Sequence, residues 1–170
     1  MKKGLTLIGM TGAGKTTLGP LLSQRLGWRV QDVDHIIIEK EHKLIGQVVR
    51  EKGRDYLLAM EAQCVTELDL LESILVTPGS IVYSASCHQH LKDQTTSIWL
   101  DVPLATLLER FGRDPKKAGA VVGAASGFEA LFDERKPLYS ALADITIECG
   151  DKEPSAIVGE IIERINSELA

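Results

Sequence analysis

Gly9-Met10-Thr11-Gly12-Ala13-Gly14-Lys15-Thr16 is a glycine-rich run closed by a lysine and a threonine, and its reading decides the fold. Before it stands Leu5-Thr6-Leu7-Ile8, a short apolar stretch of the kind that forms a buried parallel strand. After it come Leu18, Leu21, Leu22 and Leu26 at helical spacing, with Gly27 as a stop. Strand, loop and helix in that order are the setting in which G-x-x-x-x-G-K-T cradles phosphate. The glycines let the backbone curl so that successive N–H groups point at phosphate oxygens, at the positive end of the helix. Gly12, Ala13, Gly14, Lys15, Thr16 and Thr17 are therefore expected to hold ATP. Lys15 would bridge the β- and γ-phosphates and serve catalysis, and the Thr16 hydroxyl would ligate Mg2+.

Moving outward, residues 28–31 read as a second strand that ends at Asp32-Val33-Asp34. Ligands of open α/β sheets sit at the carboxyl ends of strands, and side chains at i and i+2 of a strand share a face. Asp32 is thus a candidate metal ligand, and Asp34 a candidate for orienting the hydroxyl that receives the phosphoryl group. Such a pair can equally cap the next helix. Further helices are expected at 36–39, 45–50, 56–71 and 104–110, and further strands at 74–76, 98–100 and around Ile145 and Ile147. Pro154 suits the first turn of a last helix with Ile157, Val158, Ile161, Ile162 and Ile165 on one face. Strands alternating with helices imply a parallel sheet covered on both sides, in one α/β domain spanning 1–170. Residues 112–127 are rich in Gly, Ala, Lys and Val without a clear period, and read as a mobile lid or a plain surface loop. Pro20 lies beyond the first turn of the first helix and cannot donate to the Thr16 carbonyl. A bend is expected there, eased by Gly19.

The bulk composition narrows the partners. A chain of 170 residues with 44% apolar content can bury a core and is not the composition of a disordered segment. A net charge of -5 argues against a nucleic-acid partner gripped through phosphate contacts. A bound anion must then be held by local groups. Cys64, Cys87 and Cys149 are too few and too scattered for a disulfide framework, so a reducing cytoplasm is expected. Met1-Lys2-Lys3 imitates the start of a signal peptide, but the apolar run behind it is short and flows into the phosphate loop. No stretch has the length to cross a bilayer, so no membrane partner is expected; a monomer is favoured.

These motifs together resemble the shikimate kinases, small members of the nucleoside-monophosphate-kinase-like P-loop group. The resemblance covers nearly the whole chain. It rests on GMTGAGKTTLG, on Asp32 and Asp34, on Gly53 with Glu61 eight residues later, and on Arg110 ahead of the lid. It continues through Glu134-Arg135-Lys136-Pro137-Leu138-Tyr139 and Pro154. The resemblance implies five parallel strands in the order 2-3-1-4-5, ATP with Mg2+, and phosphoryl transfer to a hydroxyl of a small metabolite. It implies that Asp32 holds magnesium through water, and that Asp34 binds acceptor hydroxyls and takes the proton. Arg135 would bind the acceptor's carboxylate, Gly79 would approach the acceptor, and Arg110, Lys152 and Pro154 would flank adenine.

Three departures from the family pattern fall on the acceptor side. Where the family has G-E-x-x-F-R-x-x-E, with an arginine that clamps the carboxylate, this chain has Gly53-Arg54-Asp55-Tyr56-Leu57-Leu58-Ala59-Met60-Glu61. Its Gly-Gly-Gly is Pro78-Gly79-Ser80, and the lid's Arg-Pro-Leu-Leu is Ala118-Gly119-Ala120-Val121. Losing a buried charge partner costs ~2–5 kcal/mol, so three such changes point to an acceptor other than shikimate. Two alternatives stand beside that expectation. One is an authentic divergent shikimate kinase, converting ATP and shikimate to ADP and shikimate 3-phosphate; the other is a nucleotide-binding regulatory module with weakened catalysis. Arg54, one helical turn before Leu58, is either a stand-in for the missing arginine or a solvated surface residue. Cys87-His88-Gln89-His90 reads as a polar loop or helix start rather than a zinc site, and Trp28 and Trp99 as packing residues.

Overall fold

The computed structural model describes residues 4–111 and 127–169, so the expected lid lies outside the described residues except for Gly127. The strand before the phosphate loop forms as β1, Gly4–Ile8, with every residue buried. Its one polar side chain, Thr6, shares a 2.7 Å hydrogen bond with Thr95, as burial requires. The other strands are β2 (Arg29–Asp32), β3 (Ser73–Val76), β4 (Thr95–Asp101) and β5 (Ile145–Glu148). They form one sheet in the order β2-β3-β1-β4-β5, with every pairing parallel. The α/β class and the strand order expected from the resemblance both hold.

The connections are helical: α1 (Lys15–Leu26), α2 (Val33–Glu41), α3 (Ile45–Lys52), α4 (Arg54–Glu67), α5 (Ala85–Gln94), α6 (Leu104–Phe111), α7 (Phe128–Leu142) and α8 (Pro154–Leu169). A short 3₁₀ helix, Gly79–Tyr83, comes after β3. α1 packs on β3 and on α8, while α4 packs against α2, α3 and α5, and α5 against β4. Apolar side chains from strands and helices merge into a single core cluster.

Local chemistry explains the ends. α1 stops at Gly27, whose left-handed φ of 73° lets its N–H reach the Ser23 carbonyl at 2.8 Å. α1 continues past the exposed Pro20 to Leu26. Gly19 also serves packing: a Cβ there would meet Val76 Cγ2 at 2.9 Å, so the glycine lets α1 lie close on β3. The segment expected as a helix at 56–71 begins and ends earlier, because Leu68 turns extended and the Asp69 carboxylate accepts the Leu71 N–H. Cys87-His88-Gln89-His90 belongs to the helix-start alternative, with Ser84 accepting the Cys87 N–H as the cap of α5. Among the described residues no group of three His, Cys, Asp or Glu side chains is placed to hold a metal. No helix there is long and apolar enough to cross a membrane.

The register aligns the strand ends. β2 is matched to β3 with Asp32 opposite Val76, and β3 to β1 with Val76 opposite Leu7. The carboxyl ends of three neighbouring strands therefore finish level, and the loops leaving them open onto one crevice.

Candidate active site

The loop leaving β1 curls through Gly9, Gly12 and Gly14 at φ of 145°, 85° and 98°, angles that L side chains rarely adopt. Gly14 caps α1 in the left-handed conformation, and the helix N-terminus faces a cavity of about 490 Å³. Gly12, Ala13, Gly14, Lys15, Thr16 and Thr17 line this cavity. So do Asp34, Gly79, Arg110, Lys152 and Pro154, from further segments of the chain. Residues as far apart as Gly12 and Pro154, expected separately from motif and resemblance, meet in one place.

Lys15 is 7% exposed, and its Nζ donates to the carbonyls of Gly9 at 2.7 Å and Met10 at 2.9 Å. Burial pulls its ammonium down to about 8, with Asp34 and Asp32 opposing that and Arg135 adding to it. Asp32 plays the capping part weighed from the sequence, and its second oxygen lies against the phosphate loop. Its Oδ1 accepts from the N–H groups of Asp34 and His35 at 3.0 and 3.3 Å, capping α2, while Oδ2 accepts from the Thr16 hydroxyl at 3.4 Å. One carboxylate oxygen holds the helix, and the other shares a position with the loop threonine. Asp34 looks into the cavity, and burial together with the charge of Asp32 holds its carboxyl above the ordinary value, against Lys15.

On the far side, Arg110 Nη1 donates to the Gly12 carbonyl at 2.8 Å and so ties α6 to the phosphate loop. Lys152 bonds Glu160 at 2.7 Å beside Pro154, the first residue of α8. Gly79 is hemmed in: a Cβ there would lie 2.8 Å from Arg135 Nη1. Its carbonyl accepts from the Tyr139 hydroxyl at 2.7 Å, and Tyr139 in turn stacks on Trp99. Arg135 is 1% exposed, and its Nε donates to the Tyr83 hydroxyl at 3.1 Å.

Beside this cavity lies a second one of about 240 Å³, lined by Leu58, Glu61, Ser80 and Tyr83 among others. Ser80 donates to Glu61 Oε2 at 2.6 Å, and Glu61 is 3% exposed. Pro78 lines the first cavity and Ser80 the second, so the two departures around Gly79 act on different walls. Tyr83 escaped the sequence reading: after Ile81-Val82 it looks like another core residue. Its placement against Arg135 depends on α7, which sequence patterning did not reveal.

A phosphate loop at the head of α1, two carboxylates at the end of β2 and Arg110 beside the loop are the features of a P-loop phosphotransferase. The shikimate kinase family model matches residues 11–166. A shikimate kinase of Persephonella marina is 35% identical over 164 residues, covering 96% of this chain and 99% of that one. Among solved structures, the shikimate kinase of Acinetobacter baumannii in complex with shikimate has a TM-score of 0.87 at 26% identity, covering 99% of this chain and 95% of that one. The Aquifex aeolicus enzyme has a TM-score of 0.81 at 28% identity, covering 97% of each chain. The chain belongs to the shikimate kinase family.

Proposed function

We propose that the protein transfers the γ-phosphoryl group of ATP to a hydroxyl of shikimate. The observation carrying this reading is that Asp34 and Lys15 sit in one cavity with Gly79, against which the buried guanidinium of Arg135 is packed. Full-length similarity to shikimate kinases supports shikimate better than the altered acceptor expected from the three sequence departures.

Each residue then has a role. Backbone N–H groups from Gly12 to Thr17 and the Lys15 ammonium hold the phosphates. Arg110, Lys152 and Pro154 flank the adenine end. The Thr16 hydroxyl and Asp32 Oδ2, 3.4 Å apart, are hard oxygen donors that suit Mg2+. When bound, that ion neutralises charge on the phosphate oxygens. Asp34 accepts the proton of the attacking hydroxyl as the new O–P bond forms and the bond to ADP breaks. Its raised carboxyl makes it a better proton acceptor than an exposed aspartate. Arg135 takes the carboxylate of the acceptor.

One observation favours a second reading. Leu58 puts an apolar side chain into the smaller cavity, where the family pattern has an arginine. That change would suit a polyhydroxylated molecule with a weaker acidic demand. Steady-state ADP release across shikimate, small polyols and hydroxy acids tests both. For shikimate, kcat/KM should be the highest of the panel and within the ordinary range of about 10⁴–10⁸ M⁻¹s⁻¹. A value about a hundredfold below that range, with another compound ahead, would favour the altered acceptor instead. Nucleotide binding without turnover of any compound leaves a regulatory module.

A further inference from the structure

We infer that Glu61 sets the charge the acceptor pocket accepts: an anionic acceptor binds while Glu61 carries its proton and is repelled once Glu61 is ionised. The inference rests on the reading that the acceptor is an acid of the shikimate type.

Glu61 lies on α4, in surroundings that give a negative charge little support. Leu58, three residues before it and so on the same helix face, is apolar where the family pattern has an arginine. Among the described residues the Glu61 carboxylate gains the hydrogen bond from Ser80 and no ion pair. Leu58, Ala59, Ala62 and Ile81 line the same cavity, and their apolar side chains do not solvate a charge.

That cavity shares a wall with the larger one. Ser80 lines the smaller cavity, and Gly79, the residue before it, lines the larger together with Asp34. Burial is the main cause that lifts the Glu61 carboxyl to about 7, and the charge of Asp34 acts in the same direction, against Ser80 and Arg135. A carboxylate on an acceptor held beside Asp34 and Gly79 would act in the same sense as Asp34 does. Anion binding and the Glu61 proton are therefore linked: a bound anion draws the proton on, and an ionised Glu61 weakens the anion.

α4 packs against α2, α3, α5 and the 3₁₀ helix. Besides Asp34 of α2 and Arg135 of α7, Cys64 of α4 and Cys87 of α5 feel the charge of Glu61; burial raises both thiols, which stay neutral near pH 7. Tyr83 of the 3₁₀ helix, raised by burial, stays neutral as well. The Glu51 and Lys52 charges of α3 are taken up by Lys43 and Glu41. α5 also carries His88 and His90. Asp34, Lys15 and both histidines are common to every protein compared below, so a difference between them belongs to Glu61.

The test is calorimetric titration of shikimate, and of its uncharged carboxamide, into the full chain with Mg-ADP, in buffers of different ionisation enthalpy. If binding raises the proton affinity of Glu61 tenfold, the wild type takes up about half a proton per shikimate at pH 7.5. Its Kd for shikimate is then about fivefold weaker at pH 8 than at pH 6. Glu61→Gln, which never ionises, should lose both effects. Leu58→Arg should lose them too, because a cation beside Glu61 keeps it ionised throughout. The carboxamide should show neither effect with the wild type. Equal proton uptake by wild type and Glu61→Gln overturns the inference, as does equal uptake for acid and carboxamide. Should Glu61→Gln fail to fold, undiminished uptake in Leu58→Arg overturns it instead. A wild type that binds Mg-ADP but neither binds nor phosphorylates shikimate overturns the proposed function itself, and does so before any substitution is made.

Discussion

Glu61 is a carboxyl group with little water around it, and its state of charge has measurable consequences. Burial pushes it up to about 7 from its ordinary 4.5; the Ser80 hydrogen bond opposes this, Asp34 adds to it and Arg135 opposes it. A folded-state value above the unfolded one means that the folded protein holds a proton the unfolded chain has released. The contribution is complete below about 4.5 and is lost as pH rises towards about 7, on the order of 3 kcal/mol across that window. Glu61→Gln keeps an oxygen for Ser80 and never ionises. Urea unfolding at pH 5 and pH 8 should show the wild type losing more stability across that interval than the variant; equal losses would sink the idea. At this scale the phosphate loop and Asp32-Val33-Asp34 are legible in the sequence, because their geometry is set by neighbours in the chain. The hydrogen bond from Ser80 to Glu61 is not, since it joins residues 19 apart through the packing of α4 against the 3₁₀ helix.

At the level of elements, the contact between α1 and β3 decides how the phosphate loop sits on the sheet. A Cβ on Gly19 would meet Val76 Cγ2 at 2.9 Å, and Val76 is β-branched, with little freedom to turn that group aside. Gly19→Ala should gain up to about 1 kcal/mol of helix propensity. It should lose about 1–3 kcal/mol to overpacking against Val76. A net fall in the urea midpoint is expected; a rise would mean that α1 can shift outward at no cost. α1 also shows how far pattern reading carries. Its start and its glycine stop are marked by residue types with specific backbone preferences, so they are readable. The role of Gly19 is not, because it is defined by a strand some 55 residues later, and no local period records that. α7 is missed for a related reason: Phe128, Leu131, Phe132, Arg135, Tyr139 and Leu142 are its buried positions, and an arginine among them hides the apolar stripe.

Across the whole molecule, ATP would touch the phosphate loop, α6 through Arg110 and the start of α8, linking distant parts of the chain through one ligand. Such a ligand binds only the folded state, so Mg-ATP at a hundred times its Kd should add about 2.7 kcal/mol and raise Tm by roughly 5–10 °C. Lys15→Ala should shrink that shift, and an unmoved Tm for the wild type at millimolar nucleotide would defeat the assignment of the cavity to ATP. The parallel α/β class is readable from alternating strand and helix signals, but the strand order came from family resemblance; spacing alone cannot tell which strand lies beside which. That order carries a further consequence. β1 is made first yet sits in the middle of the sheet, and its two hydrogen-bonding neighbours, β3 and β4, are not complete until Val76 and Asp101. At a ribosome adding about 5–20 residues per second, the first strand waits on the order of several seconds for partners. During that time Leu5, Leu7 and Ile8 have no sheet to enter, and the glycine loop behind them has no frame to curl against. The phosphate loop, the earliest part of the site to be synthesised, thus cannot take shape until β3 and β4 have been made, and in this interval the nascent chain carries an apolar segment with no sheet to cover it.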